Sequence, residues 1–248
     1  MLRWRSYGES DKIATLLTED AGKLTGIAKG AKNSRRRFAN SLEPLARVQV
    51  RYRQKPGAGL AFLESAELLT STSAFCEPAR FAYGSYVAEL TDRMTVEEDP
   101  AHNLFGLLEQ ALVALEQGPA TTAFLRGFEL QLLSGAGFEP QLDGCNRCRR
   151  PWADDERAWI ATHHGTVACD TCRSAEDATE PVSGAVLLRL DALKDLPLSA
   201  CREAALGALS ADAGVLTGRL LALHLARPLQ SVKLIEQLHR LAPQSRAG

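Results

Sequence analysis

The chain has 248 residues, 45% of them hydrophobic, so it is long enough to bury a sizeable core, and its formal net charge of −1 points to no particular partner. It contains no run of about 18 apolar residues, so no membrane-spanning helix is expected. The N-terminal stretch MLRWRSYGESDK lacks the apolar segment of a secretory signal. We therefore expect a cytoplasmic protein with reduced cysteines.

Five short strand-like segments fill the first seventy residues, separated by turn signals such as Gly8-Glu9. In one of them, Val48, Val50 and Tyr52 alternate with polar or charged residues, as expected for a half-buried strand. Five strands is the count of the oligonucleotide/oligosaccharide-binding (OB) fold, a small closed barrel, although strand count does not exclude an SH3-like barrel. The segments are LRWRSY, KIATLLT, KLTGIAK, LARVQVRYRQ and LAFLESAEL.

Positive charge is concentrated in this first part of the chain. Residues 1–60 contain 13 Lys and Arg against 5 Asp and Glu, whereas the remainder contains 16 against 25. Five of the cations fall within residues 29–37, and three of these are consecutive arginines that are too costly to bury unpaired. The asymmetry predicts a basic module that contacts a polyanion, attached to an acidic body; the alternative is a solvated basic face.

Helical periodicity replaces strand alternation after about residue 72. Apolar residues recur every three or four positions between residues 83 and 132, and the glycine-rich stretch SGAGFEP ends the third predicted helix. The pattern returns from residue 182, and Pro228 predicts a break before a last helix. The sequence therefore predicts an α+β protein with a five-stranded barrel over residues 1–72 and an α-helical domain over residues 73–248.

Two C-x2-C pairs lie in an insert of the helical domain, at about residues 141–178. Two residues between cysteines allow a tight turn to direct both sulfurs at one ion, and two such turns complete a tetrahedral zinc site. We predict one zinc ion per chain, structural in role because four protein ligands leave no position open for a substrate. The predicted ligands are Cys145, Cys148, Cys169 and Cys172.

The spacing fits other uses of the four cysteines less well, but a redox pair, a disulfide and an iron–sulfur cluster remain alternatives. His163 and His164 lie between the pairs and are either substitute ligands or loop residues. The isolated Cys76 and Cys201 are expected to pack as small apolar side chains. Four nearby arginines would offset the charge of a tetrathiolate centre or contact nucleic acid: Arg147, Arg149, Arg150 and Arg173.

No motif for nucleotide binding or catalysis is visible in the sequence. A P-loop, a dinucleotide fingerprint, a G-x-S-x-G elbow and an H-E-x-x-H helix are all missing. The sequence therefore favours a binding protein that uses no nucleotide. Two other hypotheses stay open: a zinc-ribbon protein that binds RNA or assists transcription, and a redox or hydrolytic enzyme that uses the C-x-x-C thiols.

The order of these parts resembles the RecO family of bacterial recombination mediators. The resemblance rests on the two C-x2-C turns and on three stretches: YGESDKIATLLTEDAGKLTGIAKGAKNSRRRFANSLEPL at residues 7–45, FLRGFELQLLSGAGFEPQLDGC at residues 124–145, and RPLQSVKLIEQL at residues 227–238. It implies an OB-fold barrel, a helical domain and a zinc module. One departure is that Arg149 and Arg173 stand where a glycine usually follows each C-x2-C pair.

The resemblance also implies a function, that of a non-enzymatic protein which binds single- and double-stranded DNA and anneals complementary strands. Such a protein helps to load RecA onto strands that are coated with single-stranded DNA-binding protein (SSB). The implied direct partners are DNA, RecR and the acidic C-terminal tail of SSB, and RecF and RecA are candidate functional partners. Neither a membrane nor a nucleotide is implied.

The resemblance leads to two candidate binding sites. A row of cations can follow the regularly spaced phosphates of a strand, and Phe38 among them either stacks on a base or packs inside. Arg126, Leu130 and Leu133 share one helix face, where a cation beside an apolar slot suits the SSB tail; an ordinary core helix is the alternative. The predicted DNA-binding residues are Lys29, Lys32, Arg35, Arg36, Arg37, Arg51 and Arg53.

Overall fold

The structure is a computed structural model that describes residues 1–55, 57, 59–97, 102–161, 163–174 and 179–241. The chain forms two compact units. The sheet unit comprises Met1–Pro119 together with the C-terminal residues from Leu229, and the cysteine unit comprises Ala120–Pro228. Within the described ranges, no helix is long and apolar enough to cross a membrane.

The five predicted strands are all present in the sheet unit. Their order in the sheet is β1-β2-β3-β5-β4, and every pairing is antiparallel except that between β3 and β5. At the parallel pairing, Gly26 leaves room for Leu63, because a Cβ atom there would lie 2.5 Å from the leucine side chain. The strands are β1 (Arg3–Tyr7), β2 (Asp11–Thr18), β3 (Gly22–Ala28), β4 (Val48–Arg53) and β5 (Ala61–Leu68).

One face of the sheet carries the core of this unit, as the alternation in the sequence predicts. Leu16, Leu24 and Leu63 are buried there, and the side chains of Val48, Val50 and Tyr52 pack against them. The prediction of a closed barrel is not confirmed, because no ladder joins β1 to β4 in the described part of the chain. The two edges meet at Met1, whose amino group donates to Ala46 O (2.8 Å) and whose carbonyl accepts from Leu45 N (3.0 Å).

Helices follow the sheet in the chain, as predicted after residue 72. The last of them returns to the sheet unit, where the Glu89 carboxylate accepts from the N–H groups of Gln230 (3.0 Å) and Ser231 (2.8 Å) at its N-terminus. The helices are α1 (Pro78–Met94), α2 (His102–Gln117), α3 (Thr122–Gly135), α4 (Gly184–Lys194), α5 (Leu198–Glu203), α6 (Ser210–Ala222) and α7 (Ser231–Leu241).

The cysteine unit is built around α3, which begins at a Thr121 cap that accepts from Phe124 N (3.2 Å). Phe124, Phe128 and Leu132 are almost completely buried, as their helical spacing predicts. A small antiparallel sheet was not predicted and lies beside the cysteines in the chain. Its strands, in the order β7-β6-β8, are β6 (Arg157–Ala161), β7 (Val167–Cys169) and β8 (Thr179–Ser183).

Candidate nucleic-acid interface and metal centre

The connection from β3 to β4, residues 29–47, is called the basic loop from here on. It is anchored to the sheet by Phe38 and Leu42, whose side chains are only 3% and 2% exposed and belong to the core. Its backbone is also fixed, because Ala66 N of β5 donates to Arg37 O (2.8 Å). Because the Phe38 ring is buried in the core, it packs there and is not available to stack on a base. The cations of the loop therefore project from a backbone that is anchored to the sheet.

An acidic residue that sequence reasoning missed organises the start of this loop. The Asp11 carboxylate accepts from Gly30 N (2.8 Å), where the backbone takes a positive φ of 68° that suits glycine, and it pairs with Lys29 Nζ (2.8 Å). The hydrogen bond from Lys29, followed by that from Gly30 N–H, lowers the pKa of Asp11 to about 2. The charge of Lys29 is therefore partly offset by Asp11.

The remaining loop cations differ in how strongly the protein itself engages them. Lys32 Nζ donates to Gly8 O (2.8 Å), and Arg37 donates to Lys29 O (2.7 Å) while its guanidinium lies 5.3 Å from the centroid of the Phe38 ring. Arg35 and Arg36 are exposed and make no hydrogen bond or ion pair with any residue that the structure describes. These two arginines are thus the most available to phosphate.

The strand arginines of the prediction lie on β4, on the face opposite the core. Arg53 pairs with Glu64 (2.5 Å), whereas the exposed Arg51 has no ion pair among the described residues. Ala66 joins β4 to the basic loop, because it pairs with Val50 on one side and bonds to Arg37 on the other. The two backbones are therefore two strand spacings apart, about 10 Å.

The predicted SSB-tail residues sit in the interior of the cysteine unit. Leu130 and Leu133 are 0% and 1% exposed, so no apolar slot is open to a ligand at these positions. Arg126 is mostly buried and forms an ion pair with Glu129 (2.5 Å) on the same helix. This geometry matches the alternative of a core helix.

The four cysteines of the two C-x2-C pairs do come together. Their sulfur atoms all lie within 4.8 Å of one another, with Cys148 and Cys169 at 3.9 Å. Zinc–sulfur bonds of about 2.3 Å at tetrahedral angles place sulfurs about 3.8 Å apart, so a small contraction would accommodate the ion. A set of four sulfur donors in this arrangement fits a structural zinc, and these cysteines could hold one metal ion.

Backbone hydrogen bonds shape both cysteine turns. Arg149 N donates to Cys145 O (2.8 Å) and Arg173 N donates to Cys169 O (2.9 Å), which closes each turn after its second cysteine. Arg149 takes a positive φ of 62° at the place where the sequence departs from glycine, whereas Arg173 does not. The departure at Arg149 therefore strains the backbone, and the one at Arg173 carries no such cost.

The cluster also shifts the ionisation of its thiols. Burial raises the pKa of Cys145, but this is outweighed by backbone N–H groups, among them that of Cys169 at 3.4 Å from the sulfur, which lower the pKa to about 6. Hydrogen bonds to Cys169 and Cys148 raise the pKa of Cys172 to about 12. The cluster thus shifts the pKa values of these two thiols in opposite directions.

The neighbours of the cluster settle several sequence alternatives. His163 and His164 are exposed in the turn after β6 and are not part of the sulfur cluster, which identifies them as loop residues. Asn146, which sequence reasoning missed, ties the turns together by donating its backbone N–H to Val167 O (2.8 Å). Arg173 lies 4.0 Å from the centroid of the Trp159 ring, a contact internal to the protein.

The two remaining cysteines behave differently from each other. Cys201 is completely buried, as predicted for a small apolar side chain, and burial raises the pKa of its thiol to about 11. The same prediction is wrong for Cys76, which is exposed at the end of a short 3-10 helix, Ser73–Cys76. Neither cysteine belongs to the sulfur cluster.

Comparison with known proteins identifies relatives over nearly the whole chain. The family model described as recombination protein O N terminal matches residues 1–72, and recombination protein O C terminal matches residues 77–233. The DNA repair protein RecO of Anaeromyxobacter sp. (strain Fw109-5) is 34% identical over 243 residues, which is 96% of this chain and 94% of that protein. The DNA repair protein RecO of Myxococcus xanthus is 36% identical over 235 residues, 94% of this chain and 93% of that protein.

Proposed function

The chain belongs to the RecO family, and on that basis we propose that it is a non-enzymatic DNA-binding protein of bacterial recombinational repair. In this role it anneals complementary strands and helps to load RecA onto SSB-coated single-stranded DNA in the cytoplasm. The observation that carries the proposal is the pair of exposed arginines, Arg35 and Arg36, on a loop whose backbone is anchored to the sheet. The names of the relatives agree with a function in DNA repair.

Binding in this proposal is mainly electrostatic. Each phosphate that meets a cation releases a counterion, so several cations on one surface give affinity without sequence preference. Among the seven predicted cations, Arg35, Arg36 and Arg51 have no described internal partner, whereas Lys29 and Arg53 form ion pairs and Lys32 and Arg37 donate to backbone carbonyls. A surface of this kind holds two strands side by side, which favours their annealing.

We further propose that the five-stranded sheet is an OB-fold barrel that stays open between β1 and β4. The strand order β1-β2-β3-β5-β4, with its parallel β3–β5 pair, supports this proposal. OB folds are themselves five-stranded barrels that are partly open. Support for the proposed barrel over residues 1–72 and helical domain over residues 73–248 comes from two separate family models, which match residues 1–72 and 77–233.

The four cysteines hold a structural zinc ion in this proposal. Zinc would cross-link the turns that begin at Cys145 and Cys169. The backbone hydrogen bond from Asn146 N to Val167 O also joins these two segments. With all four positions taken by sulfur, the ion supplies stability and no site for a substrate. The zinc module extends over about residues 141–178, of which residues 162 and 175–178 lie outside the described residues.

RecR and the SSB tail are the proposed direct partners, and RecA, with RecF, the functional ones. These partners follow from the family and not from a surface of this chain. Because Leu130 and Leu133 are buried, the proposal assigns the SSB tail to no particular residues.

The proposal is tested by annealing of complementary strands coated with SSB, in the absence of ATP. The wild-type protein should accelerate annealing, and Arg35→Ala/Arg36→Ala should lose most of the effect. The matched control is Arg189→Ala/Arg227→Ala, which removes two arginines that are exposed and have no described partner in the cysteine unit.

Two outcomes would overturn the proposal. One is a wild-type protein that neither binds DNA in dilute buffer nor accelerates annealing. The other is a strong preference for RNA when matched single-stranded DNA and RNA compete for the protein, which would favour an RNA-binding function instead.

A further inference from the structure

An exposed aromatic side chain stands at the edge of the basic loop. Tyr7 ends β1 and is 50% exposed, and the ammonium group of Lys29 lies 5.9 Å from the centroid of its ring. Phe38, the aromatic residue within the loop itself, is buried. Tyr7 is therefore an aromatic ring beside the loop cations that remains accessible to a ligand.

The turn that carries Tyr7 is bonded directly to the basic loop. Lys32 Nζ donates to Gly8 O (2.8 Å) and Lys32 N donates to Ser10 O (2.9 Å), so the turn and the loop form one connected surface. Gly8 has a positive φ of 57°, and a Cβ atom placed on it would meet nothing within 4 Å. The space at Gly8 is thus open, and the backbone that follows Tyr7 is bonded to the loop that carries the cations.

The local charges favour a base rather than a phosphate at this turn. Glu9 is exposed and Asp11 is paired with Lys29, so a phosphate placed there would meet the repulsion of Glu9 while part of the nearby positive charge is already engaged. A neutral base meets no such repulsion, and every base offers a flat face that stacks on an aromatic ring. In a duplex the faces of the bases are already covered by their neighbours, so only a single strand presents them freely.

We propose that Tyr7 stacks on a nucleobase of single-stranded DNA while Arg35 and Arg36 bind the phosphates beside it. This inference rests on the proposed function and extends it. The cations of the loop do not distinguish single from double strands, whereas a stacking contact at Tyr7 adds affinity only where a base is unpaired. Tyr7 is thus the residue of this surface that distinguishes single-stranded DNA from duplex.

The test measures the binding of Tyr7→Ala and Tyr7→Phe to three probes: a short oligothymidylate, an oligomer of the same length without bases, and a duplex. Tyr7→Ala should bind oligothymidylate at least about fivefold more weakly, the loss expected for one stacked base, and should bind the other two probes as the wild type does. Tyr7→Phe should keep the wild-type affinity, because its ring also stacks. A 2-aminopurine placed in the strand should be quenched by the wild type and not by Tyr7→Ala.

Phe81→Ala is the matched control, since Phe81 is 41% exposed and lies on α1 of the same unit. The inference is overturned if Tyr7→Ala binds oligothymidylate as the wild type does, or loses affinity equally for the base-free oligomer. In either case the proposed function still stands if Arg35→Ala/Arg36→Ala weakens binding to all three probes. If the wild-type protein itself binds none of the three probes, the proposed function fails as well.

Discussion

The basic loop and the cysteine cluster use side chains in opposite ways. In the loop, the buried Phe38 and Leu42 fix the backbone, and Arg35 and Arg36 are left without a described partner. In the cluster, the functional side chains themselves turn inward, so that four sulfurs lie within 4.8 Å of one another. In the proposed roles, the first arrangement binds an external anion, and the second stabilises the protein through a bound metal ion. The two regions should therefore respond differently to mutation.

The largest expected effect separates stability from binding. Cys145→Ser removes one of the four proposed metal ligands and leaves the others without a complete site, so we expect a loss of more than about 4 kcal/mol in the free energy of unfolding of the cysteine unit. DNA affinity per folded molecule should change little. Thermal unfolding, metal analysis and DNA titration of the same preparation measure this.

Cys76→Ser is the control for this comparison, because that thiol is exposed and outside the cluster. Normal stability of Cys145→Ser together with abolished DNA binding would contradict the division of roles, since it would make the cluster a DNA contact.

The next effect concerns the salt dependence of DNA binding. Arg35→Ala/Arg36→Ala should lower the slope of log affinity against log salt by about 1.4, at about 0.7 per phosphate contact on a single strand, with an unchanged melting temperature. Arg37→Ala should lower the melting temperature as well, because Arg37 bonds to Lys29 O and covers Phe38. An unchanged slope in the double variant would exclude these two arginines as phosphate contacts.

A smaller effect distinguishes the two cysteine turns from each other. Arg149→Gly relieves a positive φ of 62° and should raise stability by up to about 1 kcal/mol. Arg173→Gly relieves nothing and loses the contact with Trp159, so it should lower stability by about 1 kcal/mol. Chemical denaturation of the two variants, compared in the metal-bound protein, measures the difference, and equal changes would contradict this account of the turns.

The smallest effect concerns the pH dependence of the basic loop. Since the pKa of Asp11 is lowered from 3.8 to about 2, its contribution to stability is complete above pH 4 and is lost as the pH falls toward 2. Asp11 therefore stays ionised between pH 5 and pH 8, and DNA binding should not vary with pH through its pair with Lys29. Asp11→Asn should release Lys29 and raise the salt slope by up to about 0.7. A titration of binding from pH 5 to pH 8 that follows an acidic group of this loop would contradict the assignment.

Local sequence patterns were sufficient to predict most of the fold. Val48, Val50 and Tyr52 alternate cleanly, and the five strands lie within three residues of the predicted segments because burial on one face imposes that alternation. In the cysteine unit, β7 was missed because it has three residues, too few for a period to show. The open edges of β1 and β4 were also beyond local reasoning, since strand counting does not determine how two distant edges meet.

The candidate sites were predictable to different degrees. The spacing of Cys145, Cys148, Cys169 and Cys172 was sufficient to predict the sulfur cluster, because C-x2-C turns constrain where the sulfurs point. The role of Phe38 was not decidable, since a ring in a basic segment is compatible with both packing and stacking. Helical spacing likewise placed Leu130 and Leu133 on one face with Arg126, but which face was covered depends on residues far away in the chain.

The return of α7 to the sheet unit makes the cysteine unit an insertion between α2 and α7. The Glu89 carboxylate receives the first N–H groups of α7, and these groups hold its pKa below the usual range despite the opposing effect of burial. A chain that stops after residue 228 would keep every cysteine but leave Glu89 without those donors and α1 without its neighbour. Shortening the protein from its C-terminus would therefore damage the sheet unit, which carries the basic loop. Excising residues 120–228 would instead remove the cysteine unit and keep every residue of the sheet unit.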